Sequence, residues 1–150
     1  LRVSEEEIRP MGRTARGVIG IRLKGNNKVI GATLINPSLA LIAVSEKGYG
    51  KRVSFEDFMA HSRGTMGQRY YSVSEQTGDV VSISSVEEES ELLIITQLGM
   101  VIRTKVSEIR EMGKNARGTT LMRMKDENDR IADIAIIQKI SGVDENEHEK

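Results

Sequence analysis

A chain of 150 residues has the length of one ordinary domain, and 38% hydrophobic against 29% charged residues gives it a modest core under a heavily solvated surface. Its 22 Lys and Arg balance 22 Asp and Glu, which excludes adhesion to polyanions through bulk charge and leaves only local cationic patches. With no cysteine there is no disulfide framework or thiolate chemistry, and no apolar run approaches the roughly 20 residues that span a bilayer.

In chain order, Leu1-Arg2 and Glu7-Ile8 read as the tail of a unit that repeats downstream, without the apolar stretch of a signal peptide. The chain lacks an initiating Met and opens on strand-like residues, so a piece of something longer in a reducing cytoplasm is expected. Arg9-Pro-Met-Gly-Arg-Thr-Ala-Arg-Gly17 is followed by Ile19, Ile21 and Leu23 at the period of two that puts one strand face on a core. A turn at Gly25-Asn26-Asn27 leads to a return strand over Lys28–Ile35. Leu39–Ser45 and Tyr49–Ser54 form a hairpin closed by Glu46-Lys47-Gly48, and Glu56–Phe58 can form one helical turn.

The series then repeats. Met59-Ala-His-Ser-Arg-Gly-Thr-Met-Gly67 is a degenerate copy of the first motif, and Arg110-Glu-Met-Gly-Lys-Asn-Ala-Arg-Gly118 is nearly interchangeable with it. The closing glycines of the three lie 50 and 51 residues apart. Tyr71/Val73 and Met122/Met124 match the first alternating strand, and Thr77-Gly78 and Glu127-Asn128-Asp129 match its turn, these residue types tolerating the positive φ of tight hairpins. Asp79–Val86 and Arg130–Ile137 are the return strands, Glu91–Thr96 and Met100–Lys105 a second hairpin, and Ser107–Ile109 a second short turn. Four short strands per unit of about fifty residues, with no helical periodicity, predict an all-β, propeller-like ring. The units run near 9–58, 59–109 and 110–140, with 1–8 a remnant of a preceding blade; 141–150 is an acidic, apolar-poor tail expected to be disordered.

The absence of Trp argues against WD40 blades, and the aromatic positions of kelch blades are not visible. Ile8-Arg9-Pro10-Met11-Gly12-Arg13, Gly17-Val18-Ile19-Gly20-Ile21-Arg22-Leu23, Glu46-Lys47-Gly48-Tyr49-Gly50-Lys51-Arg52 and Ile102-Arg103-Thr104 resemble the blade signatures of the C-terminal domain of DNA gyrase A, over about residues 1–140. The resemblance implies a β-pinwheel whose blades exchange a strand with a neighbour and whose outer rim binds and bends duplex DNA. It further implies about three blades, the C-terminal half of a six-bladed domain. The family's Gln-Arg-Arg-Gly-Gly-Lys-Gly box is absent, its nearest match, His61–Gly67, keeping only Arg63, Gly64 and Gly67. The expected partners are double-stranded DNA, the rest of gyrase A, and gyrase B in an A2B2 holoenzyme of the nucleoid. This piece would carry no cofactor, ATP and Mg acting elsewhere.

Backbone binding needs cations spaced to meet phosphates and a protein main chain able to approach closely. The loops supply Arg13 and Arg16 beside Gly12 and Gly17, Arg63 and Arg69 beside Gly64 and Gly67, and Lys114 and Arg117 beside Gly113 and Gly118. Lys51, Arg52, Arg103 and Lys105 add charge at strand ends, whereas Arg22 and Arg123 alternate with core residues and read as facing solvent or pairing with acidic neighbours. No recognition helix, zinc set or stacking platform is present, so DNA bendability rather than sequence would be read. The acidic tail would compete with DNA for the basic rim.

Catalysis by this piece is not expected. His61 and His148 have no cysteine with which to bind zinc, His61-Ser62 lacks a third partner, and the Gly-rich loops lack a P-loop ending. Two further readings stay open: the homologous domain of topoisomerase IV, steering substrate choice, and a protein-binding propeller scaffold.

Overall fold

The computed structural model describes residues 1–138, so the acidic tail and the competition expected of it lie outside the described residues. The chain is all-β, built on seven strands: β1 (Ala40–Ser45), β2 (Tyr49–Ser54), β3 (Val80–Val86), β4 (Glu91–Thr96), β5 (Val101–Lys105), β6 (Thr119–Thr120) and β7 (Ile131–Ile137). One antiparallel sheet has the order β3-β1-β2-β6 and the other β5-β4-β7. Each is seeded by the same hairpin. β1 is a continuous apolar run buried on both faces, as a central strand requires. It pairs with β2 from Ala40↔Ser54 to Val44↔Gly50. β4 pairs with β5 from Glu91↔Lys105 to Ile95↔Val101.

Both hairpin turns close in the same way. Gly48 at φ +82° donates to Ser45 O at 3.0 Å, and Gly99 at φ +84° donates to Thr96 O at 3.1 Å. The Ser45 and Thr96 hydroxyls accept from the main-chain N–H groups of Tyr49 (3.3 Å) and Met100 (3.0 Å). These hydroxyl-bearing strand ends hold a left-handed turn that only glycine adopts cheaply.

After each hairpin comes a single 3-10 turn, Phe55–Asp57 and Val106–Glu108, matching Glu5–Glu7 at the start of the chain. The return strands β3 and β7 then add to the far sides of β1 and β4. Ser82 Oγ of β3 donates to Asp133 of β7 at 3.0 Å and links the two sheets.

The outer position of the first sheet is filled from the third sequence unit, two on from the one that supplies β1 and β2. Thr119–Thr120 pairs with β2 through Tyr49↔Thr120 and Gly50↔Thr119. Strand exchange between units is thus visible directly, and a sequence unit is not a sheet.

Several sequence expectations are corrected. The described residues pair into two antiparallel sheets, one of four strands and one of three, and each draws strands from more than one sequence unit. The alternating segments at 19–23, 71–73 and 122–124 and the return segment 28–35 carry no ladder; Ile21 makes one isolated bridge, to Thr65. A strand needs an open edge to pair with, and alternation alone does not supply one. Among the described residues all those with positive φ are glycines, so Asn26, Asn27, Asn128 and Asp129 turn the chain within ordinary backbone space.

The main core lies between the sheets and joins Ile42, Val44, Val86, Leu92, Ile94, Val106, Ile109, Met122 and Ile131. A second cluster, Ala43, Tyr71 and Val80, covers the opposite face of β1. Truncating fully buried Ile94 to Ala is expected to cost about 3 kcal/mol, as a shift of the urea midpoint, through lost burial and the cavity left behind. Leu34→Ala, at a residue 84% exposed, should move it by less than about 0.5 kcal/mol. Equal losses at the two positions would mean that the core is elsewhere.

Candidate nucleic-acid interface

The cation-bearing loops fold as the repeat requires. In the first, Ala15 N donates to Gly12 O, and in the third Ala116 N donates to Gly113 O, both at 3.0 Å. Their closing glycines, and Gly67 in the second loop, all have φ between +74° and +85°. Gly118 has a second reason to be glycine, because a Cβ there would stand 2.5 Å from Gly50 O.

The second and third loops each dock, through the same bonds, on the stretches that flank the loop before them. Arg22 N donates to Thr65 O (2.9 Å) and Ser72 N to Ala116 O (3.3 Å). His61 N donates to Arg2 O and Met112 N to Arg52 O, both at 2.9 Å. The bridges Arg2↔Ala60 and Arg52↔Glu111 repeat the pattern. The second and third loops thus sit at equivalent places relative to the loop before each of them.

The nominated cations divide sharply at this point. Arg13, Arg16, Arg69 and Lys105 are exposed and make no hydrogen bond or ion pair among the described residues. Arg117 is exposed and aimed, its guanidinium donating at 2.8 Å to Gln76 Oε1 while Gln76 Nε2 donates at 2.8 Å to the Tyr49 hydroxyl. Arg103 pairs with Glu91 across the β4–β5 ladder.

Arg63, Lys114 and Arg52 donate to main-chain oxygens, Arg63 while itself exposed. Arg63 Nε donates to Glu7 O at 3.2 Å, Lys114 Nζ to Asp57 O at 2.8 Å and Gln68 Oε1 at 3.1 Å, and Arg52 Nε to Ile109 O at 2.7 Å. The Arg52 side chain is only 11% exposed and also meets Glu88 at 3.4 Å.

Lys51 is a correction. It is 0% exposed, its ammonium donating to Gly113 O at 2.8 Å and lying 5.3 Å from the Tyr71 ring centroid, so no phosphate can reach it. Burial lowers its pKa to about 8, with the Asp57 carboxylate pulling the other way.

Three cations that were not nominated, Lys47, Arg123 and Arg130, line a shallow groove with Tyr49, Thr120 and Met122 where the hairpin of the first sheet meets the next unit. Lys47 sits at a hairpin tip beside Glu46 and Arg123 alternates with core methionines, so both look like ordinary solvated positions in sequence. Asp129 is buried, which alone would raise its pKa; the Thr96 hydroxyl, the N–H groups of Leu98 and Arg130 and the Arg130 charge together hold it below the ordinary value.

Among the described residues no group of three His, Cys, Asp or Glu is placed to hold a metal, and no helix is long and apolar enough to cross a membrane.

Comparison with known proteins agrees with this architecture. The chain is 41% identical over 145 residues to the DNA gyrase A protein of Aminobacterium colombiense, an alignment covering 97% of this chain but 18% of that protein. It superposes on a structure of the DNA gyrase A C-terminal domain with a TM-score of 0.81 at 28% identity, covering 88% of this chain and 45% of that one. A topoisomerase IV C-terminal domain gives a TM-score of 0.82 at 17% identity, covering 91% and 42%, a likeness of fold. The model of the DNA gyrase C-terminal domain, β-propeller, matches residues 1–36, 40–87 and 90–138, and the chain belongs to that family.

Proposed function

We propose that this chain binds and bends duplex DNA without reading its sequence, as the wrapping portion of a DNA gyrase A protein whose cleavage and ATP hydrolysis are carried out by other parts of the enzyme. The single observation that carries the reading is the set of unpaired arginines Arg13, Arg16 and Arg69, with aimed Arg117, on glycine-flanked loops that recur from unit to unit in a chain of zero net charge. Charge concentrated in this way serves a linear polyanion better than a compact ligand. Arginine suits the task because its planar fork can donate twice to one phosphate. Lys105 lies among the free cations of the same chain and is included in the contact set; Arg103, held by Glu91, contributes only if that pair opens.

The bacterial gyrase A relatives favour gyrase over topoisomerase IV, for which only the fold speaks. The corresponding setting is a cytoplasmic, nucleoid-bound holoenzyme with gyrase B.

The test is a titration of mixed-sequence duplexes across salt. Replacing Arg13, Arg16, Arg69 and Arg117 together by Ala should weaken binding similarly for unrelated sequences. It should also flatten the slope of log affinity against log salt by about 0.9 for every phosphate contact removed. An unchanged slope would remove these residues from the interface, and weakening confined to one sequence would replace backbone recognition with base recognition.

A further inference from the structure

Resting on that DNA-binding reading, we propose that Lys114 and Arg63, with Arg2 and Arg52, are positioning residues: taking as a unit each hairpin with the turn and loop that follow it (1–36, 40–87 and 90–138), they clamp each unit to the next and so set the curvature of the edge on which DNA lies. The 3-10 turn after each hairpin is too short to satisfy its own last carbonyls; cations from both neighbouring units cap them, and at Phe55 O add a second donor to the Phe58 N–H of the turn itself. The turn Phe55–Asp57 shows the full arrangement. From the preceding unit, Arg2 donates to Phe55 O and Phe58 O, each at 3.0 Å. From the following unit, Lys114 donates to Asp57 O at 2.8 Å. Half of the same grip recurs one unit earlier, where Arg63 holds Glu7 O at 3.2 Å, and half one unit later, where Arg52 holds Ile109 O at 2.7 Å.

Arg63 and Lys114 occupy equivalent places in their loops, and either side chain can give one directed N–H to a carbonyl. That interchange is expected of a clamp and not of a bidentate phosphate fork. The acceptors are uncharged oxygens, so the contact responds weakly to added salt. A phosphate approaching Lys114 would have to displace both Asp57 O and Gln68 Oε1.

The experiment compares Lys114→Met and Lys114→Arg with wild type in the full-length protein containing these residues. The first readout needs no DNA. With spin labels on cysteines introduced at exposed Glu56 and Asn115, in a protein otherwise cleared of reactive cysteine, the distance distribution between them should broaden in Lys114→Met and return to wild-type width in Lys114→Arg. A distribution as narrow as wild type in Lys114→Met would overturn the clamp, whatever the protein does with DNA. The second readout uses a mixed-sequence duplex with donor and acceptor dyes at its ends. Lys114→Met should alter end-to-end energy transfer and leave the salt slope of binding unchanged. A slope flattened by about 0.9 with the bend intact would instead make Lys114 a phosphate contact and overturn the positioning role. If wild type itself shows no salt-dependent DNA binding, the functional reading fails while the label distances still decide the clamp.

Discussion

Gly48→Ala is expected to unfold the first sheet's hairpin, whereas Gly99→Ala, at the matching turn 51 residues later, should be tolerated at modest cost. Both glycines have φ near +83°, so both substitutions carry the left-handed strain of an L residue, about 1 kcal/mol. They differ in what the new methyl group meets. At Gly99 nothing lies within 4 Å, while at Gly48 the added Cβ would stand 2.2 Å from Met122 O. That obstacle is main chain, and it is held: Leu121 N and Met122 N donate to Gly48 O at 2.8 and 3.2 Å, binding the exchanged segment to the hairpin. To admit the methyl the segment must withdraw, which breaks those bonds and lifts Met122 out of the core it shares with Ile42 and Ile131. The combined loss should exceed about 3 kcal/mol, read as the shift in urea midpoint, against roughly 1 kcal/mol for Gly99→Ala. Equal destabilisation would show that the turn conformation, and not the docking of the next unit, governs this position.

Much of the fold was legible because local chemistry decides it. The apolar runs at 40–45 and 91–96, the two Gly-closed turns and the return strands at 80–86 and 131–137 stand within a residue or two of where patterning put them, whereas 28–35 forms no strand. The failures share a cause. The segments at 19–23 and 122–124 alternate as well as any strand, but pairing depends on a partner edge that lies far away in sequence, and β2 accepts only Thr119–Thr120. The cations were harder still. Arg63 and Lys114 look like Arg13 beside the same glycines, and nothing local reveals a carbonyl of the preceding unit beneath them.

A signal was nonetheless present in comparing the repeats. The first cation of the loop survives in every unit as Arg13, Arg63 and Lys114, while the second becomes Met66 in the degenerate loop between Arg16 and Arg117. A donor kept in each unit fits a bond that each unit must make. Lys51 carried two such clues. The period of two places it on the face of Val53 and Phe55, both buried, and its counterpart one unit later is the apolar Ile102.

That inward position makes Lys51→Glu the most damaging single change expected at a charged residue, and Lys51→Met a mild one. The ammonium of Lys51 sits between the Gly113 carbonyl and the Tyr71 ring, both of which offer negative charge density to a cation. A carboxylate there faces the same two groups with the wrong sign and no donor, and buried without a partner it should cost more than about 4 kcal/mol. Methionine removes the charge and keeps the length, losing one hydrogen bond but also the desolvation that the ammonium suffers.

The same desolvation gives a pH signature of definite sign. Burial lowers the folded-state pKa from 10.5 to about 8, so between those values the unfolded chain holds a proton that the folded chain has released. Stability attributable to Lys51 therefore rises with pH across that window, and below it the penalty of the buried charge is fully present and constant. Tyr70 and Tyr71, whose pKa values burial raises, act in the opposite direction only above about 10, where the unfolded chain ionises first. Measured as the difference between wild type and Lys51→Met, which largely removes the tyrosine contribution, the gain from pH 7 to pH 10 should be on the order of 2 kcal/mol. A flat difference over that range, or Lys51→Glu melting together with wild type, would put the ammonium in water, on the surface the sequence first assigned to it.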